Sequence, residues 1–138
     1  MRIVLILLIS MYVCPQKNDT QAAFYNVGSN ALIGGIGALI NKNPDEKASK
    51  VFIKGIYQGA LGGYLTFESK RLVRQFYKTD NYAYLWPSKL LNSAGNSITS
   101  NAASNRNFWE RWHMDFGFNY LEYDFKRKRR LRSRILPF

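Results

Sequence analysis

The sequence predicts an α+β chain: three helices packed together, one of them long and glycine-lined, followed by a C-terminal aromatic β-hairpin. Three observations predict it. Gly55 and Gly59 lie four apart in a stretch with no proline between Pro44 and Pro87, which stacks them on one helical face, and Gly62 or Gly63 continues that face. Leu90, Ala94, Ile98 and Ala102 repeat at the spacing of a helical stripe. Trp112, Met114, Phe116, Phe118 and Tyr120 alternate with Arg111, His113, Asp115, Gly117 and Asn119, the period of a half-buried strand.

The chain divides into 1–22, a signal peptide, 23–107, a glycine-rich helical region, and 108–138, a hairpin with a basic turn. Arg2 followed by the apolar run Ile3–Val13 has the shape of an export signal, with cleavage expected near Ala22. Cys14 directly after that run raises a lipoprotein reading, which Val13 before it disfavours. Val27–Asn41 predicts a short helix in which Ala31, Gly35 and Leu39 share one face and Gly34 and Ala38 another. Gly34-Gly35-Ile36-Gly37 lacks the Lys-Ser/Thr of a phosphate-binding loop and the spacing of a dinucleotide fingerprint, so close packing is the favoured reading.

The long helix is expected from Pro44 to Lys78. Asn43 can cap, Pro44 suits the first helical position, and Glu46 stands where a capping box needs it. Glycine inside a helix costs up to about 1 kcal/mol relative to alanine, so repeated glycines need a reason. A bare face lets a second backbone approach, and we expect Gly34, Gly35, Gly55, Gly59, Gly62 and Gly63 to set helix packing. Lys70, Arg71, Arg74 and Lys78 suit the negative end of the helix or lipid headgroups, with Tyr77, Tyr82, Tyr84 and Trp86 nearby as interfacial aromatics. A third helix is expected from Pro87 to about Asn105, small-sided enough to lie on the glycine face.

The aromatic side of the predicted strand, Trp112, Met114, Phe116, Phe118 and Tyr120, is expected to face lipid or a partner. A bulge is expected after Tyr120, a turn at Lys126, Arg127, Lys128, Arg129 and Arg130, and a returning strand from Leu131 to Phe138. Two strands cannot close a barrel, so the hairpin would join other copies, belong to something longer, or pack on the helices.

The stretches NVGSNALIGGIGALINKNPDEK (26–47), VFIKGIYQGALGGYLTFESKRLVRQ (51–75), NSAGNSITSNAASNRNFWERWH (92–113) and FGFNYLEYDF (116–125) resemble a family of Bacteroidota envelope, outer-membrane-associated proteins. The resemblance implies a chain that continues beyond the basic segment with outer-membrane strands and a His-Glu-xx-His-like segment. This sequence would then be an N-terminal portion or a short member. The residues of that segment do not occur here, so no metalloprotease role carries over.

Composition narrows the chemistry. The net charge is +11, and Lys126, Arg127, Lys128, Arg129, Arg130, Arg132 and Arg134 carry seven of the positive charges, so the basicity is a local feature. As a turn near a membrane that run would bind anionic headgroups, including lipopolysaccharide phosphates. In a cytoplasmic protein it would suggest nucleic acid. One cysteine precludes an internal disulfide, and one histidine precludes a two-histidine metal site. A serine-type site could be imagined from His113 and Asp115 with Ser93 and Ser97, but serine is abundant and nothing resembles a nucleophile elbow. The carboxylates are scattered, and Glu110 with Arg111 beside Trp109 and Trp112 reads as surface or girdle. The reading is a non-enzymatic envelope protein with a structural or assembly role and no cofactor or metal, at the outer membrane or the periplasmic face. Its partners would be membrane lipid and another copy or envelope protein. A basic nucleic-acid module and a lipid- or cell-wall-acting enzyme using His113 are the alternatives.

Overall fold

The computed structural model describes residues 19–107, 109 and 112–135, with side chains described as far as Tyr123. Among the described residues four α-helices run up, down, up and down: α1 (Asp19–Ile40), α2 (Ala48–Thr79), α3 (Leu85–Ala103) and α4 (Trp112–Ile135). Helix α2 spans roughly 48 Å at about 1.5 Å per residue. Helices α1 and α3 lie against it, and α4 lies against α3.

Antiparallel pairing follows from which residues meet. Asn26 lies beside Gly63 and Gly34 beside Gly55, so α1 and α2 run in opposite directions. Gly62 meets Gly95, and Ser69 Oγ donates to the Ser88 carbonyl at 2.6 Å, which sets α3 against α2. The Ser88 and Tyr123 hydroxyls are 3.2 Å apart, and Asn119 Nδ2 donates to Ser97 Oγ at 3.2 Å, which sets α4 against α3.

The connections use local polar chemistry. Helix α2 ends on Asp80 in the left-handed conformation, φ 53°, with its N–H donating to the Phe76 carbonyl at 2.8 Å. Asn81 Oδ1 then accepts from the Ala83 N–H at 3.0 Å and starts the 3₁₀ turn Tyr82–Tyr84. Asn105, φ 51°, turns the chain after α3.

The start of α2 is later than its cap signals suggest. The Glu46 carboxylate does accept from the Asn43 N–H at 3.1 Å, but this closes a separate turn, and the helix begins at Ala48. Lys47 stands at the cap position without a side-chain cap bond. At the other end of the chain α1 begins at Asp19, so Ala22, where cleavage was expected, falls in its first turn and is buried. Cys14 and the apolar run before it lie outside the described residues.

No strand occurs among the described residues, and the predicted α+β class and β-hairpin are corrected to an all-helical fold. Residues 112–120 form the first half of α4. Residues 126–130, expected as the turn, continue the same helix, as does the expected return strand as far as Ile135. Residues 136–138 lie outside the described residues. The reason is geometric. An alternation of five residues at period two also contains a repeat at four. On a helix it splits into two stripes, since positions two apart point nearly opposite ways. Trp112 stacks on Phe116 with centroids 5.0 Å apart, and Phe116 on Tyr120 at 6.1 Å. Met114 and Phe118 go to the other side and are exposed. The expected bulge after Tyr120 disappears too: Met114, Phe118 and Leu121 are one stripe at i, i+4 and i+7, all exposed.

Candidate functional site

The contact between α1 and α2 is made by backbone. A Cβ on Gly34 would strike the Gly55 carbonyl oxygen and lie 3.0 Å from the Gly59 Cα. A Cβ on Gly59 would strike the Asn30 carbonyl, and one on Gly63 the Asn26 carbonyl. On the other side of α2, a Cβ on Gly62 would lie 2.5 Å from the Gly95 carbonyl oxygen, and one on Gly95 the same distance from that of Gly62. Gly35 is filled differently, facing the side chains of Phe52 and Ile56. Gly34, Gly35 and Gly37 lie inside α1, where their N–H groups belong to the helix ladder, and Gly37 faces Ala103. That is a packing arrangement and not a phosphate cradle.

With backbones this close, only small side chains fit between the helices. Ser88, Ser93 and Ser97 are 0% exposed, and Ser69 and Asn101 are 1% exposed. Their polarity is largely satisfied inside each helix. Thr66, Ser93, Ser97 and Thr99 donate to the carbonyl four residues earlier, at 2.8–3.1 Å, as does Asn26 to Ala22 at 2.6 Å. Bonds between helices include Ser69–Ser88, Ser88–Tyr123, Asn119–Ser97 and Lys70–Asn26.

Many large apolar side chains are on the outside. Among the described residues the buried apolar set is Ala22, Ala38, Val51, Phe67, Leu85, Ile98 and Ala102, nearly half of it alanine. The exposed set includes Ile33, Ile36 and Ile40 on α1, Ile53, Tyr57, Leu61 and Tyr64 on α2, and Met114, Phe118 and Leu121 on α4, with Tyr57 74% and Ile40 78% exposed. Sequence reading placed five aromatic-strand residues on one outer face. The fold puts Met114 and Phe118 outside and leaves Trp112, Phe116 and Tyr120 half-buried as a stacked row. The outward row on α2 was not anticipated. Its signal was available, because Ile53, Tyr57, Leu61 and Tyr64 repeat at four and three opposite the glycines.

The apolar surface lies between two polar poles. At one, Arg74 pairs with Asp19 at 2.7 Å, Lys70 Nζ donates to Asn26 Oδ1 at 2.5 Å, and Arg71 pairs with Glu68 at 3.3 Å. At the other, Asn105 Nδ2 donates to Glu46 Oε2 at 2.7 Å and Lys54 Nζ to the Arg106 carbonyl at 3.4 Å. The Asn105 amide and the Asn43 N–H hold the Glu46 carboxyl below its ordinary range. Between Lys54 and Glu68, α2 carries no charge for thirteen residues, about 20 Å.

The residues imagined as a serine-type site are not assembled. His113 is exposed, whereas Asp115 is half-buried, its Oδ2 3.8 Å from Arg106 Nη1. Two residues apart on a helix, they point in different directions. The Ser93 and Ser97 hydroxyls are committed to the Lys89 and Ser93 carbonyls. Among the described residues no group of three His, Cys, Asp or Glu side chains is placed to hold a metal. Glu110 and Arg111 lie outside the described residues, as do the side chains of 126–130.

Helix α1, near the N-terminus, is long and apolar enough to cross a membrane, and it alone among the described residues meets both conditions. Only 22% of its apolar stretch is buried. A membrane span and a signal sequence share that character, and both are compatible with the cell envelope. No family model, curated protein or solved structure matches the chain.

Proposed function

We propose that the chain is a membrane-embedded helical bundle of the cell envelope, with a structural or assembly role and no catalysis of its own. One observation carries this reading: the helix contacts are made by glycine, serine, alanine and small polar residues with few large apolar side chains (Phe67, Leu85, Ile98), and much of the exterior between the poles is isoleucine, leucine and aromatic. In water such an arrangement wastes the main driving force of folding, since burying one large apolar side chain is worth about 1.5–3 kcal/mol. In a bilayer the outer side chains meet lipid tails, and helices associate through close backbone contact, as they do at Gly34, Gly55 and Gly59. Polar groups bonded within their own helix suit the same setting.

The expectation of an outer-membrane address leaned on the strand alternation, and the helical α4 removes that support. A helical bundle in an envelope membrane is what the contacts favour. The envelope family resemblance and the signal-like start remain in line with it.

Alkaline extraction of membranes from expressing cells tests the reading. The full chain should stay in the membrane pellet and need detergent for release. Recovery as a monodisperse protein in aqueous buffer, or release by high salt alone, would overturn it.

A further inference from the structure

Basic residues separated by some fifty positions in sequence are collected at one pole. Helix α4 runs beside α3 as far as Tyr123, whose hydroxyl meets Ser88 one turn inside the start of α3 at Leu85. Lys89 Nζ lies 3.6 Å over the Tyr120 ring at the same level. The remaining twelve residues of α4, through Ile135, therefore carry the helix about 18 Å onward past α3. Seven of them are Lys or Arg. Between Lys126 and Arg134 the sequence has one large apolar residue, Leu131.

The same pole holds the C-terminal turns of α2, where Arg71 and Arg74 are balanced by Glu68 and Asp19. With Lys70 and Lys78 set against Asp80, most of the excess charge is that of α4. Exposed Tyr77, Tyr82 and Trp86 surround the level where α3 begins. The opposite pole, with Lys42, Lys47, Lys50, Lys54 and Arg106 against Asp45, Glu46 and Asp115, has a smaller excess.

We propose that this pole docks on the anionic headgroups of the leaflet it faces, with residues 126–134 as the contact. The proposal rests on the embedded-bundle reading. An exposed apolar stripe (Met114, Phe118, Leu121) is followed along the same helix by the basic run, with exposed Tyr and Trp residues on the neighbouring elements at that level. That sequence of surfaces matches hydrocarbon, interface and phosphate in turn. A nucleic acid would complement the charge but not the stripe that leads into it.

The test uses the full chain with Cys14→Ser and Ser133→Cys, labelled at residue 133 with an environment-sensitive fluorophore. It is mixed from detergent into vesicles of phosphatidylcholine, or of equal parts phosphatidylcholine and phosphatidylglycerol. The expected result is flotation with both, and a blue-shifted label only with phosphatidylglycerol, reversed by high salt. Replacing Lys126, Arg127, Lys128, Arg129 and Arg130 by Gln together should keep flotation and abolish most of the shift. Equal emission on both vesicles, with flotation on both, would overturn the headgroup contact alone. Failure to float with pure phosphatidylcholine would overturn the embedded bundle, and the docking with it. A comparable shift produced by duplex DNA in detergent would reassign the run to nucleic acid.

Discussion

The Asn30 carbonyl oxygen occupies the space that a Cβ on Gly59 would need. The neighbour there is helix backbone, which cannot turn aside as a flexible side chain can. The approach of α1 to α2 thus depends on a missing methyl group.

Gly59→Leu should consequently force α1 and α2 apart. Overpacking of this kind costs about 1–3 kcal/mol or more, well above the ~1 kcal/mol a helix gains by losing a glycine. Thermal unfolding in detergent should show a large loss of stability, and size-exclusion profiles should broaden. A melting temperature equal to wild type would mean that the close contact is not what holds the pair.

Gly117 is the internal control. A Cβ there would meet nothing within 4 Å. Gly117→Ala should leave packing intact and stabilise α4 by about 0.5–1 kcal/mol through backbone entropy. The same melting experiment checks it, and a loss comparable to that at Gly59 would reveal an unrecognised neighbour.

Phe116 and Phe118 distinguish helix from strand directly. On a strand they would share one face and respond alike to truncation. On α4 Phe116 stacks between Trp112 and Tyr120, while Phe118 is 73% exposed. Phe116→Ala should destabilise the docking of α4 by about 2–4 kcal/mol, near the lower end of the range for buried phenylalanines. Phe118→Ala should change stability in detergent by under about 0.5 kcal/mol. Urea or thermal denaturation of both variants decides between the two geometries.

Glu46 introduces a pH dependence. Its folded pKa is lowered, chiefly by the Asn105 amide and then by the Asn43 N–H, so its contribution is present above its ordinary pKa of 4.5 and is lost as pH falls below that value through the folded pKa. Amide exchange in residues 41–47 should accelerate in that acid window. Glu46→Gln retains an acceptor for Asn105 without a titrating group, and should flatten the response. An unchanged acid response in that variant would place its origin elsewhere.

Much of α1 to α3 was legible in the sequence, because spacing at four needs no tertiary knowledge. Gly55 and Gly59 fall on one side of any helix, and that side is the one α1 covers. Boundaries were less legible. Asn43, Pro44 and Glu46 carry a cap signature but form their own turn before Ala48, a choice settled by Asn105 reaching Glu46 from the far end of α3. The class was lost on α4, where nine residues satisfied two periods at once. What decides between the periods there is long-range: the Ser97 and Ser88 hydroxyls on α3, which Asn119 and Tyr123 reach only from a helix.

The return of Thr66, Ser93, Ser97 and Thr99 to their own carbonyls bears on how the molecule is made. These four hydroxyls are paired before their helix meets a neighbour, whereas Ser69 and Tyr123 reach partners only across helices. On the embedded-bundle reading, those hydroxyls would add no unpaired donor to a helix that meets lipid before its neighbours do. Assembly would then turn chiefly on the fit of one backbone groove against another, with few polar bonds to exchange.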